Sequence, residues 1–217
     1  MNPIVRVEGL TRRFGRRWAL RGVDLEVEHG VVVALLGANG TGKTTLLRVF
    51  STLLRPTAGR VEVLGSLLPR DQDHVRAKTA LMTPNGHTYD ELTGLENLRF
   101  AARMSGPPLP DSSLREVLMG VRLENAADTR VRAYSTGMRK RLELARMQLR
   151  TLDLVLLEEP FVSLDKEGVE LVQRSISGWR SSGTTVIIAS HRVTEATAGA
   201  DRIVHLERGR VALEEAV

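Results

Sequence analysis

Three short segments of the chain are almost wholly apolar: Val31–Leu36, Leu152–Leu157 and Thr185–Ala189. The first is β-branched at its start and has no polar position, so it predicts a strand buried on both faces, as in a parallel sheet. The other two predict buried strands of the same kind. Ile4–Val7 and Leu25–Val27 alternate apolar with polar and predict strands of a half-exposed sheet. Thr44–Leu54 carries apolar residues at Leu46, Leu47, Phe50, Leu53 and Leu54, the spacing of a helix, and Arg55-Pro56-Thr57-Ala58-Gly59 ends it. Between the first buried strand and the next two the texture changes. Leu92–Met104 predicts an amphipathic helix opened by Thr93 and broken by Ser105-Gly106-Pro107-Pro108. Ser112–Val121 and Thr136–Leu149 predict two more. Ile203–Leu206, a turn at Arg208-Gly209 and Val211–Leu213 predict a closing hairpin. No solenoid repeat or low-complexity tract interrupts this plan. The expectation is one α/β domain over 1–217, with a core at about 1–85 and 149–217 and a helical subdomain at about 86–148.

Composition narrows the function. At 217 residues with 42% hydrophobic and 26% charged residues, the chain is a globular domain able to bury a core without staples. It has no cysteine, which excludes disulfides, a thiol nucleophile and a zinc ribbon. Lys plus Arg is 31 against 26 for Asp plus Glu, a formal charge of +5. Only Lys43, Lys78, Lys140 and Lys166 are lysines. This balance suits an anionic ligand or a membrane surface and demands neither. The longest apolar run, Val31–Leu36, is six residues, against the ~20 of a spanning helix. The start MNPIVRVEGL lacks a basic-then-apolar signal pattern. The expectation is a cytoplasmic chain, held at a membrane only through a partner.

Gly37-Ala38-Asn39-Gly40-Thr41-Gly42-Lys43-Thr44, followed by Thr45, fits G-x-x-x-x-G-K-[ST] between a buried strand and a helix. Glycines let several backbone N–H groups turn onto one phosphate, and the helix N-terminus adds partial positive charge. Lys43 then reaches the β- and γ-phosphates, and the Thr44 hydroxyl ligates Mg²⁺. Leu154-Val155-Leu156-Leu157 ends in Glu158-Glu159-Pro160. Two carboxylates at a buried strand end are costly unless a cation meets them. Glu158 is placed to hold the metal through water and Glu159 to orient or deprotonate the attacking water. A solvated strand end is the plainer alternative.

Together these motifs resemble, in order, those of the nucleotide-binding subunit of an ABC transporter, over about residues 4–213. Tyr134-Ser135-Thr136-Gly137-Met138 resembles the signature, usually LSGGQ. Glu158-Glu159-Pro160 resembles the Walker B end, Ser163-Leu164-Asp165 the D-loop and His191 the switch histidine. Phe14-Gly15 falls where the family places an aromatic against adenine. The resemblance implies a P-loop NTPase (RecA-like) core with a mostly parallel sheet, N-terminal antiparallel strands and an inserted helical subdomain. It also implies two ATP molecules, with Mg²⁺, sandwiched in a head-to-tail dimer, where Ser135, Thr136 and Gly137 face the γ-phosphate bound by the other subunit. His191 would touch γ-phosphate and link it to Glu159, and Asp165 would contact the opposite subunit. Ser135 and Asp165 also read as helix N-caps, Phe14 as core and His191 as structural.

Two positions depart from the family. Glu158 stands where Asp is usual. Asn85 falls where a Gln loop reports nucleotide state and contacts nucleotide and metal, although Asn85-Gly86 also reads as a turn. The activity implied is ATP hydrolysis driving export through integral membrane permease subunits, by a homodimer or paired ATPase subunits peripheral on the inner face of the cell membrane. The short chain and the YSTGM form resemble exporter ATPases: the haem exporter of cytochrome c maturation, or drug or polysaccharide exporters. A soluble ABC ATPase and a module with impaired hydrolysis are the alternatives. No nucleic acid is expected, because Arg12, Arg13, Arg16 and Arg17 lack interleaved aromatics beyond Phe14 and Trp18.

Overall fold

The computed structural model describes residues 2–84 and 86–217. Two sheets, seven α-helices and two short 3-10 turns form among these residues. The smaller sheet is antiparallel. It joins β1 (Val5–Phe14), β2 (Arg17–Val27), β4 (Ala58–Val63) and β5 (Ser66–Leu67) in the order β2-β1-β4-β5. The larger contains β3 (Val32–Leu36), β6 (Thr79–Met82), β7 (Leu154–Glu158), β8 (Thr185–Ser190), β9 (Arg202–Glu207) and β10 (Arg210–Ala216), ordered β10-β9-β3-β8-β7-β6. Strands β9, β3, β8 and β7 run parallel, and β10 returns antiparallel as the closing hairpin. All residues of β3, β7 and β8 are buried, as their uninterrupted apolar runs predict. The expected fold class is therefore the observed one.

β1 and β2 are far longer than their apolar ends suggest. Register shifts at Val7/Leu10, Leu10/Thr11 and Arg12/Arg13 interrupt the two-residue period, so the alternation fades although the pairing continues to Phe14 and Arg17. Helix α1 (Lys43–Phe50) stops earlier than its apolar pattern, because Thr52 takes a left-handed φ of 64°. Leu53 is consequently exposed. Helix α2 (Gln72–Lys78) buries only Val75 and gives little pattern to read.

The chain divides into two compact units. The first, residues 1–81, 152–159 and 176–217, has a continuous core in which Val33, Leu35, Leu46, Phe50, Leu156, Ile187 and Leu206 meet the apolar faces of β1 and β4. The second comprises 82–151 and 160–175. It holds α3 (Gly94–Ser105), α4 (Asp111–Gly120) and α5 (Thr136–Gln148), and the start of α6 (Lys166–Ser181). Thr93 caps α3 by accepting from Glu96 N at 3.1 Å, while Glu96 accepts from Thr93 N at 2.8 Å. Leu95, Leu98, Leu114, Leu118, Leu142 and Ala145 are buried. The remaining helix, α7 (Val193–Thr197), follows β8. Among the described residues no helix is long and apolar enough to cross a membrane.

Candidate functional site

β3 delivers the chain to residues 37–42, and α1 begins at Lys43. Glycine is required at two turns of this loop. At Gly42, φ is 113° and a β-carbon would lie 2.7 Å from the Ala19 carbonyl oxygen. At Gly37, φ is 155° and a β-carbon would collide with the Leu206 carbonyl. The loop folds over the Lys43 ammonium, which donates to the carbonyls of Gly37 at 2.5 Å and Ala38 at 3.1 Å. Burial holds the Lys43 pKa below the ordinary lysine value, against the pull of Glu159 and Glu158 in the other direction. The Thr41 hydroxyl donates to Ala38 O at 3.0 Å.

β7 lies two strands from β3, across β8, and brings its carboxylates to the same end of the sheet. Thr44 donates its hydroxyl hydrogen to Glu158 Oε1. Glu158 is 8% exposed, and its Oε2 is buried with no hydrogen-bond partner in the structure. A buried bare carboxylate oxygen beside a hydroxyl suits a hard cation such as Mg²⁺, which takes one or two protein oxygens and completes its shell with phosphate oxygens and water. Among the described residues no group of three or more His, Cys, Asp or Glu could alone hold a metal, so phosphate would have to supply part of that shell.

Glu159 follows at a left-handed φ of 46°, with its N–H donating to Ala189 O at 2.8 Å. Non-glycine residues rarely hold this conformation, and those that do cluster at functional sites. Its carboxylate is oriented from β8. Ser190 Oγ donates to Oε2 at 3.0 Å, His191 N donates to Oε1 at 3.1 Å, and His191 Nδ1 lies 2.9 Å from Oε1. Ser190 is not among the site residues the sequence predicts. Nothing in its residue type distinguishes it, because the bond depends on parallel pairing of β7 with β8.

Lys43, Thr44, Glu158 and Glu159 open on one cleft of about 410 Å³, lined also by Phe14, Arg17, Ala19, Asn39, Gly40, Gly42 and Thr45; Ser190 and His191 stand behind Glu159 and are not part of its lining. Phe14 is 48% exposed at the tip of the β1–β2 hairpin, so it is not a core residue. The Arg12 guanidinium stacks 4.6 Å from its centroid. Arg17, one of the four arginines around Phe14 to which the sequence assigns no site role, also stands on the cleft wall.

The other expected site residues lie in the second unit. Ser135 caps α5, accepting from Met138 N at 3.2 Å, and Thr136 and Gly137 open that helix. Asp165 accepts from Gly168 N at 2.7 Å and pairs with Arg141 at 2.8 Å. That backbone bond leads, with Arg141, in lowering the Asp165 pKa. The capping readings of both residues thus hold within the unit. Asn85 lies outside the described residues.

A mostly parallel sheet with a glycine loop between β3 and α1, and carboxylates closing β7, defines a P-loop ATP-binding cassette. Solved structures agree. An ATP-binding subunit of an ABC transporter matches with a TM-score of 0.89 at 26% identity, over 99% of this chain and 90% of that one. A dimeric ATP-binding cassette in a post-hydrolysis state, bound to ADP and Pi, shares the fold with a TM-score of 0.88 over 98% of both chains at 24% identity. Residues 20–162 match the family model described as ABC transporter, and the chain belongs to that family. It is 39% identical over 212 residues to the daunorubicin resistance ATP-binding protein DrrA3 of Streptomyces coeruleorubidus, covering 97% of this chain and 67% of that protein. It is 32% identical to the Nod factor export ATP-binding protein I of Ralstonia nicotianae, covering 96% of this chain and 65% of that protein. The chain thus spans about two thirds of the length of these relatives. Their names concern drug resistance and Nod factor export and give the haem-exporter expectation no support.

Proposed function

We propose that this chain is the ATP-binding and ATP-hydrolysing part of an ABC exporter, working as a homodimer or paired subunits with separate integral membrane permease subunits on the inner face of the cell membrane. The observation that carries this reading is the single cleft on which the loop cation Lys43, the Thr44–Glu158 pair and Glu159 all open. The names of the drug-resistance and Nod factor relatives favour export.

Backbone N–H groups of Asn39–Thr45 cradle the phosphates, Lys43 meets the β- and γ-phosphates, and Phe14 offers its ring to adenine. Thr44 and Glu158 would hold Mg²⁺, which supplies neutralisation of the triphosphate charge. Glu159, kept in place by Ser190 and His191, orients a water and takes its proton as the oxygen attacks the γ-phosphorus. The bond to the bridging oxygen breaks, giving ADP and inorganic phosphate. His191 follows the γ-phosphate. Ser135, Thr136, Gly137 and Asp165 serve the ATP of the opposite chain, and Asn85 reports to the membrane partner.

A module with impaired hydrolysis is the second reading. It rests on Glu158, one methylene longer than the family's usual Asp and bonded directly to Thr44. The test mixes two inactive variants, Lys43→Ala and Ser135→Arg. Each homodimer is expected to be inactive. In the heterodimer both lesions meet in one pocket, and the other pocket has two intact halves. Recovered turnover, or ATP cross-linking to the intact pocket, is expected. Verified heterodimers with neither would defeat the shared site, and wild type that binds ATP without turnover would select the impaired-hydrolysis reading.

A further inference from the structure

The cleft has a second cation that the chemistry above leaves unused. Arg17 lines its wall with Phe14, Lys43, Glu158 and Glu159, and is the cross-strand partner of Phe14 at the closed end of the β1–β2 hairpin. Its Nη2 lies 3.4 Å from the point that a β-carbon on Gly40 would occupy, so the guanidinium rests against the phosphate loop. Arg16 does not line the cleft, and two other arginines of the hairpin are engaged elsewhere. Arg12 donates to Arg55 O at 3.1 Å and stacks on Phe14, while Arg13 stacks 5.4 Å from the centroid of Trp18. The Arg17 guanidinium has no ion pair or hydrogen bond among the described residues.

Charge on the wall explains what such a group would do. Lys43 and Arg17 are positive, and Glu158 and Glu159 are negative. Without Arg17 the charged lining would carry net −1, a poor host for a polyanion; with it the lining is neutral before any metal enters. A guanidinium fork matches phosphate oxygens in pairs and remains charged at any working pH. The cleft already holds loop glycines that admit phosphate and an aromatic at the same hairpin end. The unpaired guanidinium, resting against Gly40, therefore stands on the glycine-loop side of the cleft.

We propose that Arg17 is a phosphate-binding residue of this nucleotide site, reaching from the β1–β2 hairpin to grip the di- or triphosphate chain. The inference rests on the ATP reading above. Equilibrium titrations of the full chain with ATP, ADP and adenosine, for wild type, Arg17→Ala, Arg17→Lys and Lys43→Ala, separate the two. Arg17→Ala is expected to weaken ATP and ADP about tenfold and leave adenosine unchanged, with Arg17→Lys recovering part of the loss. Arg17→Gln gives the same readout where Ala disturbs the hairpin. ATP affinity unchanged in Arg17→Ala and Arg17→Gln, while Lys43→Ala loses it, would overturn the role of Arg17 alone. Equal losses for ATP and adenosine would also overturn it, in favour of a base or sugar contact. No ATP binding by wild type would overturn the function itself, and this inference with it.

Discussion

The two compact units place their expected site residues in opposite ways. In the first, polar groups stand where buried apolar strands end, and the cleft collects them. Lys43 is 7% exposed, Glu158 keeps a buried oxygen without a partner, and Glu159 sits at φ 46°. Each of these costs stability in a domain with no ligand to meet. In the second, Glu143 Oε2 and Arg146 Nε are likewise buried without a hydrogen-bond partner, but the expected site residues and their neighbours mend the fold. Asn97 bonds the backbone of Tyr89 through both ends of its amide, and Tyr134 donates to Ala126 O at 2.6 Å. Ser135 and Asp165 cap helices. Costly polar groups gathered in one cleft point to chemistry within the chain. Groups already satisfied at helix ends need a second chain before they acquire another role.

Substitutions can break or sharpen that contrast. Lys43→Ala removes the cation matched to triphosphate. ATP affinity is expected to fall about 100-fold by titration, with the far-ultraviolet spectrum unchanged. A loss under threefold would end the distinction at its strongest point. Thr44→Val leaves both Glu158 oxygens without protein partners. It should cost about 1–3 kcal/mol in denaturant midpoint analysis and raise the Mg²⁺ needed for half-maximal turnover roughly tenfold. An unchanged Mg²⁺ requirement would place the metal elsewhere. Ser135→Asn retains a good N-cap, so stability should hold within about 0.5 kcal/mol while turnover falls roughly tenfold. Full turnover would confine Ser135 to capping. Tyr134→Phe frees the Ala126 carbonyl, with an expected loss of about 1–2 kcal/mol and turnover within about twofold of wild type. A large activity loss there would show that the second unit's mending contacts also govern chemistry.

What the sequence makes legible follows the same division. Val31–Leu36 and the glycine loop after it are readable because burial on both faces abolishes alternation and Gly37 and Gly42 have no room for a side chain. The Glu158–Glu159 end is readable for a related reason: charge directly after an apolar strand demands an account. Ser190 and Arg17 were not singled out for the site, because their places depend on pairings across 31 residues and across a hairpin turn. α6 is announced in the sequence only by the cap at Asp165, although its apolar face continues to Ile176. β4 begins exposed at Ala58, Gly59 and Arg60, so no alternation announces it. Site residues whose roles need a partner chain are legible only through motif resemblance. Ser135 inside this chain is fully explained by Met138 N.

The most direct measurement compares ATP binding and ATP turnover in wild type and Glu159→Gln. The substitution keeps size and one accepting oxygen beside Ser190 and His191, turns the other oxygen into an amide donor, and removes the base. Binding should remain within about threefold, turnover should fall about 10²–10⁴-fold, and an ATP-bound dimer should persist long enough to be isolated by size-exclusion chromatography. Wild-type turnover in Glu159→Gln, with ATP bound, would contradict the assignment of hydrolysis to this cleft.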